Sequence, residues 1–223
     1  MLRDLADYRC LVFDCDGVVL DSNAVKTRAF HEVALPFGAD AAQAFVDYHQ
    51  ANGGISRYRK FEYFLRDIAG AADAQALLPG LLERYAAAVR QGLLDCAVAP
   101  GLQALRAQLP ESRWLIVSGG DEAELRDVFS VRGLDGLFDG GIFGSPTPKD
   151  SILARELASG NITGPSLFLG DSRFDYLCAH EAGLDFVFLD GWSEFHHAAV
   201  FFADKPVAVR RDIQALLGSE GTP

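Results

Sequence analysis

The chain lacks long apolar runs and has no surplus of positive charge. No stretch of about 18 residues is apolar enough to span a bilayer, so we expect no transmembrane helix and no membrane partner. Lysine and arginine number 20 against 31 aspartate and glutamate residues. The resulting net charge of −11 argues against nucleic acid or an anionic membrane surface as a partner.

Cysteine is also scarce, and the N-terminus is not typical of a secreted protein. The four cysteines lack the spacing of metal ligands: Cys10, Cys15, Cys96 and Cys178. We expect them to be core thiols in a reducing compartment. Asp4 and Asp7 precede the first apolar run, so we expect no signal peptide and a cytoplasmic location. The chain also lacks a dinucleotide-binding fingerprint and a glycine-rich phosphate loop with its lysine.

An apolar run near the N-terminus ends in two aspartates one residue apart. Asp14 and Asp16 follow residues 11–13, and strand geometry points both side chains the same way. Two such charges about 4 Å apart cost roughly 4 kcal/mol at an effective dielectric near 20, so a metal, a cation or a shared proton must offset the cost. Gly17 permits a tight turn beside them. The alternative is an acidic strand-to-loop turn without a function.

Three later apolar runs also end in polar residues. Ser118 and Gly119 follow the first run, Lys149 follows the second, and Asp171 and Asp175 follow the third. In an open α/β sheet, strand ends of this kind surround the ligand-binding crevice. A hydroxyl, an ammonium and several carboxylates are the groups that phosphoryl transfer and a hard-cation site require.

The spacing of apolar runs predicts an α/β fold with a doubly wound parallel sheet. We expect strands at about 10–14, 114–118, 140–143, 166–170 and 185–189. We expect helices at about 101–110, 121–132, 150–159, 174–183 and 210–217. Asp121 and Asp150 mark two helix starts, and Glu124 completes a capping-box pattern with Asp121.

Residues 22–97 form an insert between the first and second predicted strands. The insert contains helical patterns near 24–35, 40–52, 56–69 and 73–93, with breaks at Pro36–Gly38, Asn52–Gly54 and Pro79–Gly80. It is too long for a crossover and too apolar for a disordered segment. We therefore expect an α-helical domain over 22–97, inserted into a core domain of residues 1–21 and 98–223.

The four ordered motifs resemble those of the haloacid dehalogenase-like superfamily, and the insert resembles the helical cap of its β-phosphoglucomutase and phosphoglycolate phosphatase-like branch. The resemblance implies that Asp14 is the nucleophile that becomes an aspartyl phosphate. It implies that Asp16 is the general acid and then the general base. Ser118, together with Gly119, resembles the phosphate-binding segment, and Lys149 resembles the lysine that neutralises phosphate.

The same resemblance implies a Mg²⁺ cofactor. Its ligands would be Asp14, the main-chain carbonyl of Asp16 and Asp171, while Asp175 would hold metal-bound water. Relatives often have a proline directly after the lysine, whereas Asp150 follows Lys149 here.

Asp16 favours phosphate monoesters over the other chemistries of the superfamily. Dehalogenase and phosphonate-cleaving relatives lack an acid at this position, whereas an alkoxide that leaves phosphorus needs a proton. The sequence therefore predicts a phosphatase that acts on a small phosphorylated metabolite, of the sugar or polyol phosphate class. A phosphomutase of the same fold is the alternative, although such relatives have Glu-Asp at Gly170–Asp171 and a histidine at Lys26. A receiver-type signalling module is the third interpretation. Receivers are single domains of about 120 residues without a cap, whereas this chain has a large insert.

Several residues of the insert have two interpretations. Arg57 resembles the cap residue that contacts the far end of a sugar phosphate, or it is a surface charge at a helix N-terminus. Lys26 lies where relatives have a hinge histidine. We expect Arg59 and Lys60 on a solvated helix face, and we expect the histidines to be structural or exposed. The substrate and the oligomeric state stay open.

Overall fold

The computed structural model describes residues 2–217, which form a six-stranded sheet flanked by helices. The strands are β1 (Cys10–Phe13), β2 (Arg113–Asp121), β3 (Gly141–Ser145), β4 (Ser166–Gly170), β5 (Asp185–Leu189) and β6 (Ala208–Arg210). Their order across the sheet is β3-β2-β1-β4-β5-β6, and all neighbours are parallel. The sheet is therefore wound in both directions from its centre, which confirms the predicted doubly wound α/β fold.

Ten helices of the described chain connect and cover the strands. They are α1 (Asn23–Ala34), α2 (Ala39–Ala51), α3 (Arg57–Tyr63), α4 (Ala74–Asp95), α5 (Leu102–Gln108), α6 (Glu122–Val131), α7 (Lys149–Ala158), α8 (Arg173–Glu181), α9 (Ala198–Phe202) and α10 (Gln214–Leu217). Side chains of β1 alternate between two apolar layers, with Phe13 in one and Val12 in the other. Helices α5 and α6 contribute to the first layer, whereas α7, α8 and α9 contribute to the second. Both faces of the sheet are therefore buried, as parallel strands require.

The helical insert, α1 to α4, lies between β1 and β2 in the chain. Its interior is aromatic, because Phe45 lies at ring-centroid distances of 5.2 Å from Phe30, 5.3 Å from Phe61 and 4.5 Å from Phe64. Tyr85 of α4 also packs on Phe30, at 4.3 Å. This aromatic cluster is continuous with the apolar layer on one face of the sheet. The insert is thus fixed to the core by packing as well as by the chain.

The predicted break at Pro79–Gly80 is wrong, because α4 continues through both residues. A proline removes one backbone hydrogen bond from a helix. The buried stripe of Leu81, Tyr85 and Val89 keeps the helix packed on the insert despite that loss.

The C-terminal part of the core differs from the prediction. The helix predicted over 210–217 is only the short α10, and β6 precedes it. This edge strand has three residues, none of them buried, so its sequence has too little apolar pattern to predict a strand. An irregular segment follows β5 and leads to α9, which begins at Ala198. The predicted core boundary at residue 223 lies outside the described residues.

The cysteines are all free thiols, and three of them are buried. Burial raises the pKa of Cys10 to about 12, so this thiol is protonated at neutral pH. Within residues 2–217, every helix is too short or too polar to cross a membrane.

Replacing the central aromatic ring of the insert should destabilise the protein strongly. Phe45 is fully buried among three other rings, so Phe45→Ala should lower the free energy of unfolding by about 3–5 kcal/mol. Leu77→Ala, at a residue of the same insert that is 41% exposed, should change it by less than about 0.5 kcal/mol. Denaturant unfolding of both variants checks this, and equal losses would contradict the packing described for Phe45.

Candidate active site

The candidate site lies where the winding direction of the sheet reverses, between β1 and β4. Asp14 follows β1 directly and Asp171 follows β4, so two carboxylates meet in the crevice that binds ligands in such sheets. Gly17 lies against them with a φ of 74°, and a Cβ added there would come within 2.0 Å of Asp171 Oδ2. Glycine is therefore required at this position both for its backbone conformation and for the close approach.

Three carboxylates form a buried cluster in this crevice. Asp14, Asp171 and Asp175 each place an oxygen within 4.8 Å of the other two. Burial raises the pKa of Asp14 to about 7, and the charges of Asp175 and Asp16 act in the same direction. Burial and the charge of Asp14 also raise the pKa of Asp171 well above its usual range. The cluster is therefore a site that a cation would stabilise.

Lys149, the first residue of α7, supplies one such cation. Its side chain is 1% exposed, and Nζ lies 3.0 Å from Asp14 Oδ2 and also bonds Asp175 Oδ1. The other oxygen of Asp175 accepts hydrogen bonds from the backbone N–H and the hydroxyl of Ser172, at 3.0 and 2.6 Å. Burial lowers the pKa of Lys149, but the two carboxylates outweigh it and raise the pKa above its usual value. The lysine is thus a fixed positive charge beside Asp14.

Asp16 is not part of this three-carboxylate cluster and has partners of its own. Its carboxylate accepts hydrogen bonds from Lys26 Nζ at 2.5 Å and from Ser22 Oγ at 2.6 Å. Burial alone raises the pKa of Asp16, but the charge and hydrogen bond of Lys26 lower it below its usual value. Lys26 belongs to α1, so a residue of the insert holds Asp16 in its ionised form.

Ser118 and Gly119 lie near the end of β2, where they meet a loop of the insert. The Ser118 hydroxyl accepts a hydrogen bond from the Gly120 N–H at 3.0 Å and is almost fully buried. A Cβ added at Gly119 would come within 2.2 Å of the Gly54 carbonyl oxygen. The loop before α3 therefore rests directly on the segment that follows Ser118.

Arg57, at the start of α3, connects the insert to the core. Its guanidinium donates two hydrogen bonds to the Glu124 carboxylate and lies 4.8 Å from the Tyr85 ring centroid. Next to it, the Tyr58 hydroxyl donates to Asp121 Oδ2 at 2.6 Å. The surface-charge interpretation of Arg57 is wrong, because the residue is buried.

The predicted capping box is only half formed, because the Glu124 side chain takes part in the contact with Arg57. Asp121 does cap α6 by accepting from the Glu124 N–H at 2.9 Å, but the Glu124 side chain binds Arg57 instead of returning to the cap. The second helix start is displaced by one residue, because α7 begins at Lys149 with Pro148 as its N-cap.

A cleft that is partly open to solvent is lined both by the carboxylates and by residues of the insert. Asp14, Asp16 and Asp171 line this cleft, together with Gly119. Its other walls come from the insert and from the segment after β5, and they include Lys26, His49, Arg57, Lys60, Tyr85 and Glu194.

Sequence reasoning missed Asn23 and Glu194. The Asn23 amide donates to Asp171 Oδ2 at 2.7 Å and to the Trp192 carbonyl at 2.9 Å. Glu194 accepts from the Thr27 hydroxyl at 2.7 Å. Both connect α1 to the core over long sequence separations, and neither belongs to a motif.

The prediction that Lys60 lies on a solvated helix face is wrong. Lys60 is 2% exposed, and its Nζ lies 2.7 Å from His49 Nδ1. Burial, followed by the charge of Lys26, lowers the pKa of Lys60 to about 7. His49 is also buried, and burial together with Lys60 lowers its pKa well below the usual range, so its ring is neutral. Arg59, the neighbouring cation of α3, is exposed as expected.

The family of the chain follows from its sequence. A profile of haloacid dehalogenase-like hydrolases matches residues 8–183, which is most of the chain. The chain belongs to the haloacid dehalogenase-like hydrolases. The predicted superfamily and the prediction of a hydrolytic enzyme are therefore confirmed. No curated protein matches this hydrolase by sequence.

Solved structures share its fold at low sequence identity. A proposed phosphoglycolate phosphatase from Lactobacillus plantarum is 21% identical, with a TM-score of 0.70 over 94% of this chain and 98% of that one. CbbY from Rhodobacter sphaeroides, in complex with phosphate, is 19% identical, with a TM-score of 0.67 over 95% and 96%. The proposed hydrolase YfnB from Bacillus subtilis, bound to magnesium, is 17% identical, with a TM-score of 0.63 over 94% and 96%.

The burial of Lys60 predicts a pH-dependent stability difference. Its pKa falls from the usual 10.5 to about 7 on folding, so between these values the unfolded chain binds more protons. Above pH 10.5 the Lys60 amine is neutral in both states and does not lower the free energy of unfolding. As the pH falls from 10.5 to 7, protonation of the unfolded chain lowers the free energy of unfolding progressively. The difference in free energy of unfolding between Lys60→Met and wild type should therefore shift in favour of the variant. The shift should be roughly 1 kcal/mol for each pH unit of this fall.

Chemical denaturation at several pH values measures this difference. Arg59→Met removes an exposed positive charge from the same helix, so its free energy of unfolding should differ from that of wild type by the same amount at every pH. A constant difference for Lys60→Met as well would contradict the desolvation described for Lys60.

Proposed function

We propose that this hydrolase is a Mg²⁺-dependent phosphatase that cleaves a small phosphorylated metabolite, of the sugar or polyol phosphate class, through an aspartyl-phosphate intermediate. The observation that carries the proposal is that Asp14, Asp16 and Asp171 line the same cleft, with Lys149 bonded to Asp14. The relatives of similar fold include a proposed phosphoglycolate phosphatase and a protein in complex with phosphate, which supports a phosphorylated ligand.

The donor set of the cluster fits Mg²⁺. Asp14, Asp171 and Asp175 offer carboxylate oxygens, which this hard cation prefers, and the main-chain carbonyl of Asp16 would be a further ligand. Because Lys149 and Ser172 already bond both oxygens of Asp175, we assign Asp175 mainly to holding Lys149 and metal-bound water. The magnesium-bound structure of YfnB supports the same choice of ion. Bound Mg²⁺ would neutralise the phosphate and polarise its oxygens.

Asp14 is the proposed nucleophile. Its Oδ1 accepts from the Cys15 N–H at 2.7 Å and its Oδ2 lies 3.0 Å from Lys149 Nζ, so the carboxylate is held in one orientation. An Asp14 oxygen would attack phosphorus as the ester oxygen leaves. We assign the Ser118 hydroxyl and the Gly119 backbone to the phosphate, next to Lys149.

Asp16 is the proposed general acid and base. To act as the acid, Asp16 would have to be protonated when the substrate binds. It would give that proton to the leaving alkoxide, and the resulting carboxylate would then take a proton from the water that attacks the aspartyl phosphate. The contact with Lys26 stabilises the ionised carboxylate, which is the form that the second step needs.

We propose that residues 22–97 act as a cap domain on a core of residues 1–21 and 98–223. Arg57 lines the cleft, and Glu124 fixes the plane of its guanidinium, so the remaining N–H groups are available to the far end of a substrate. The mutase alternative gains no support from the described residues, because a lysine stands where such relatives have the hinge histidine.

Metal removal is the first test of the proposed function. Hydrolysis of p-nitrophenyl phosphate should require Mg²⁺, because the buried carboxylates otherwise repel the phosphate dianion. A colorimetric assay with Mg²⁺, with excess EDTA and after Mg²⁺ is restored measures this. Undiminished activity in EDTA would rule out the metal, and release of inorganic phosphate distinguishes hydrolysis from phosphoryl transfer to another hydroxyl.

Separate substitution of the two leading aspartates is the second test. Asp14→Asn should abolish turnover, because the amide cannot form the acyl phosphate. Asp16→Asn keeps the nucleophile but removes proton transfer, so the rate should fall by roughly 10²–10⁴-fold. The exposed Asp40→Asn serves as the control and should retain the wild-type rate. Steady-state kinetics would disprove the assigned roles if Asp16→Asn kept a near wild-type rate.

A further inference from the structure

Four lysine and arginine side chains are buried in the described part of the chain, and all four lie near the cleft: Lys26, Arg57, Lys60 and Lys149. Three of them have carboxylate partners, because Lys26 pairs with Asp16, Arg57 with Glu124, and Lys149 with Asp14 and Asp175. Among residues 2–217, no carboxylate forms an ion pair with Lys60. A buried ammonium without a counter-ion is costly, so Lys60 is the exception that needs a physical explanation.

The hydrogen bonds of Lys60 have one consistent direction. His49 is neutral, so its Nδ1 can accept from Lys60 at 2.7 Å while its Nε2–H donates to Thr27 Oγ1 at 3.1 Å. The Thr27 hydroxyl in turn donates to Glu194 at 2.7 Å. Glu194 therefore lies at the far end of this hydrogen-bond chain, and Asp16, the carboxylate whose charge raises the pKa of Lys60 most, already pairs with Lys26. The ammonium has three donors, and within the described residues only His49 accepts from it, through Nδ1 and a long contact of 3.5 Å to its carbonyl.

Lys60 lines the same cleft as the carboxylates of the reaction centre. An anion that entered beside it would supply the missing counter-charge. Because burial lowers the pKa of Lys60 to about 7, such an anion would also stabilise its protonated form. Lys26 and Arg57, in contrast, are already neutralised by Asp16 and Glu124.

We propose that the cleft takes phosphate monoesters that carry a second anionic group, a carboxylate or a second phosphate, and that Lys60 binds this group. The proposal rests on the phosphatase function and narrows its substrate class. The cleavable phosphate lies at Asp14, and the second anion lies beside Lys60.

Matched substrate pairs test this proposal. Two pairs of different length exchange a carboxylate for a hydroxymethyl group: 2-phosphoglycolate against 2-hydroxyethyl phosphate, and 6-phosphogluconate against sorbitol 6-phosphate. A third pair, fructose 1,6-bisphosphate against fructose 6-phosphate, adds a second phosphate. Wild-type enzyme with Mg²⁺ should prefer the more anionic member of at least one pair in kcat/KM. Preference in the first two pairs identifies a carboxylate, whereas preference in the third alone identifies a phosphate.

Substitution of Lys60 then assigns the preference to this residue. Lys60→Met and Lys60→Gln should each reduce the selectivity ratio of the preferred pair by ~10- to 100-fold, the effect of one charge-assisted hydrogen bond. Arg59→Met, which removes an exposed cation from the same helix, should keep the wild-type ratio. Thermal unfolding and p-nitrophenyl phosphate turnover check that each variant is folded and active.

The outcomes separate this proposal from the phosphatase function on which it rests. If wild-type enzyme does not hydrolyse p-nitrophenyl phosphate or any pair member, the phosphatase function fails. If it hydrolyses them without preferring an anionic member, or if both Lys60 variants keep the wild-type ratio, the role of Lys60 is overturned while the phosphatase function stands.

Discussion

The site depends on one buried ammonium group. Lys149 lies between Asp14 and Asp175, and without it the carboxylates that meet at the centre of the sheet would repel one another in a medium of low dielectric. The parallel sheet brings Asp14 and Asp171 together because β1 and β4 are neighbours and end at the same edge. The start of α7 then places the lysine among them. This arrangement concentrates negative charge where the proposed substrate phosphate would bind, and it makes a second cation favourable there.

The insert supplies much of the remaining electrostatics of the site. It contributes Lys26 to Asp16 and Arg57 to Glu124, and Asn23 donates to Asp171. These contacts join α1 and α3 to the ends of the strands, so the position of the insert and the ionisation of the core carboxylates are coupled. A motion of the insert would therefore change the charge balance around the substrate as well as access to the cleft.

The sequence alone was sufficient to predict β1 to β5, because these strands follow a simple pattern of apolar runs. Each apolar run that ended in Asp, Ser or Gly became a strand of the sheet, because parallel strands buried on both faces have few polar residues. It was insufficient for Lys60 and Glu194, whose roles come from contacts between distant segments. Helical spacing could not distinguish a lysine that snorkels to solvent from one enclosed by His49 and Phe30. The continuation of α4 through Pro79 likewise depends on tertiary packing, which helix propensity does not describe.

The central claim is that Asp14 carries the phosphoryl group. Its most direct test is peptide mapping by mass spectrometry of enzyme quenched in acid during turnover of p-nitrophenyl phosphate with Mg²⁺. The Asp16→Asn variant is suited to this experiment, because loss of the general base should slow hydrolysis of the intermediate. We predict a hydroxylamine-sensitive phosphoryl group on the peptide that contains Asp14. A phosphoryl group on Ser118 or on any other residue, with Asp14 unmodified, would contradict the account.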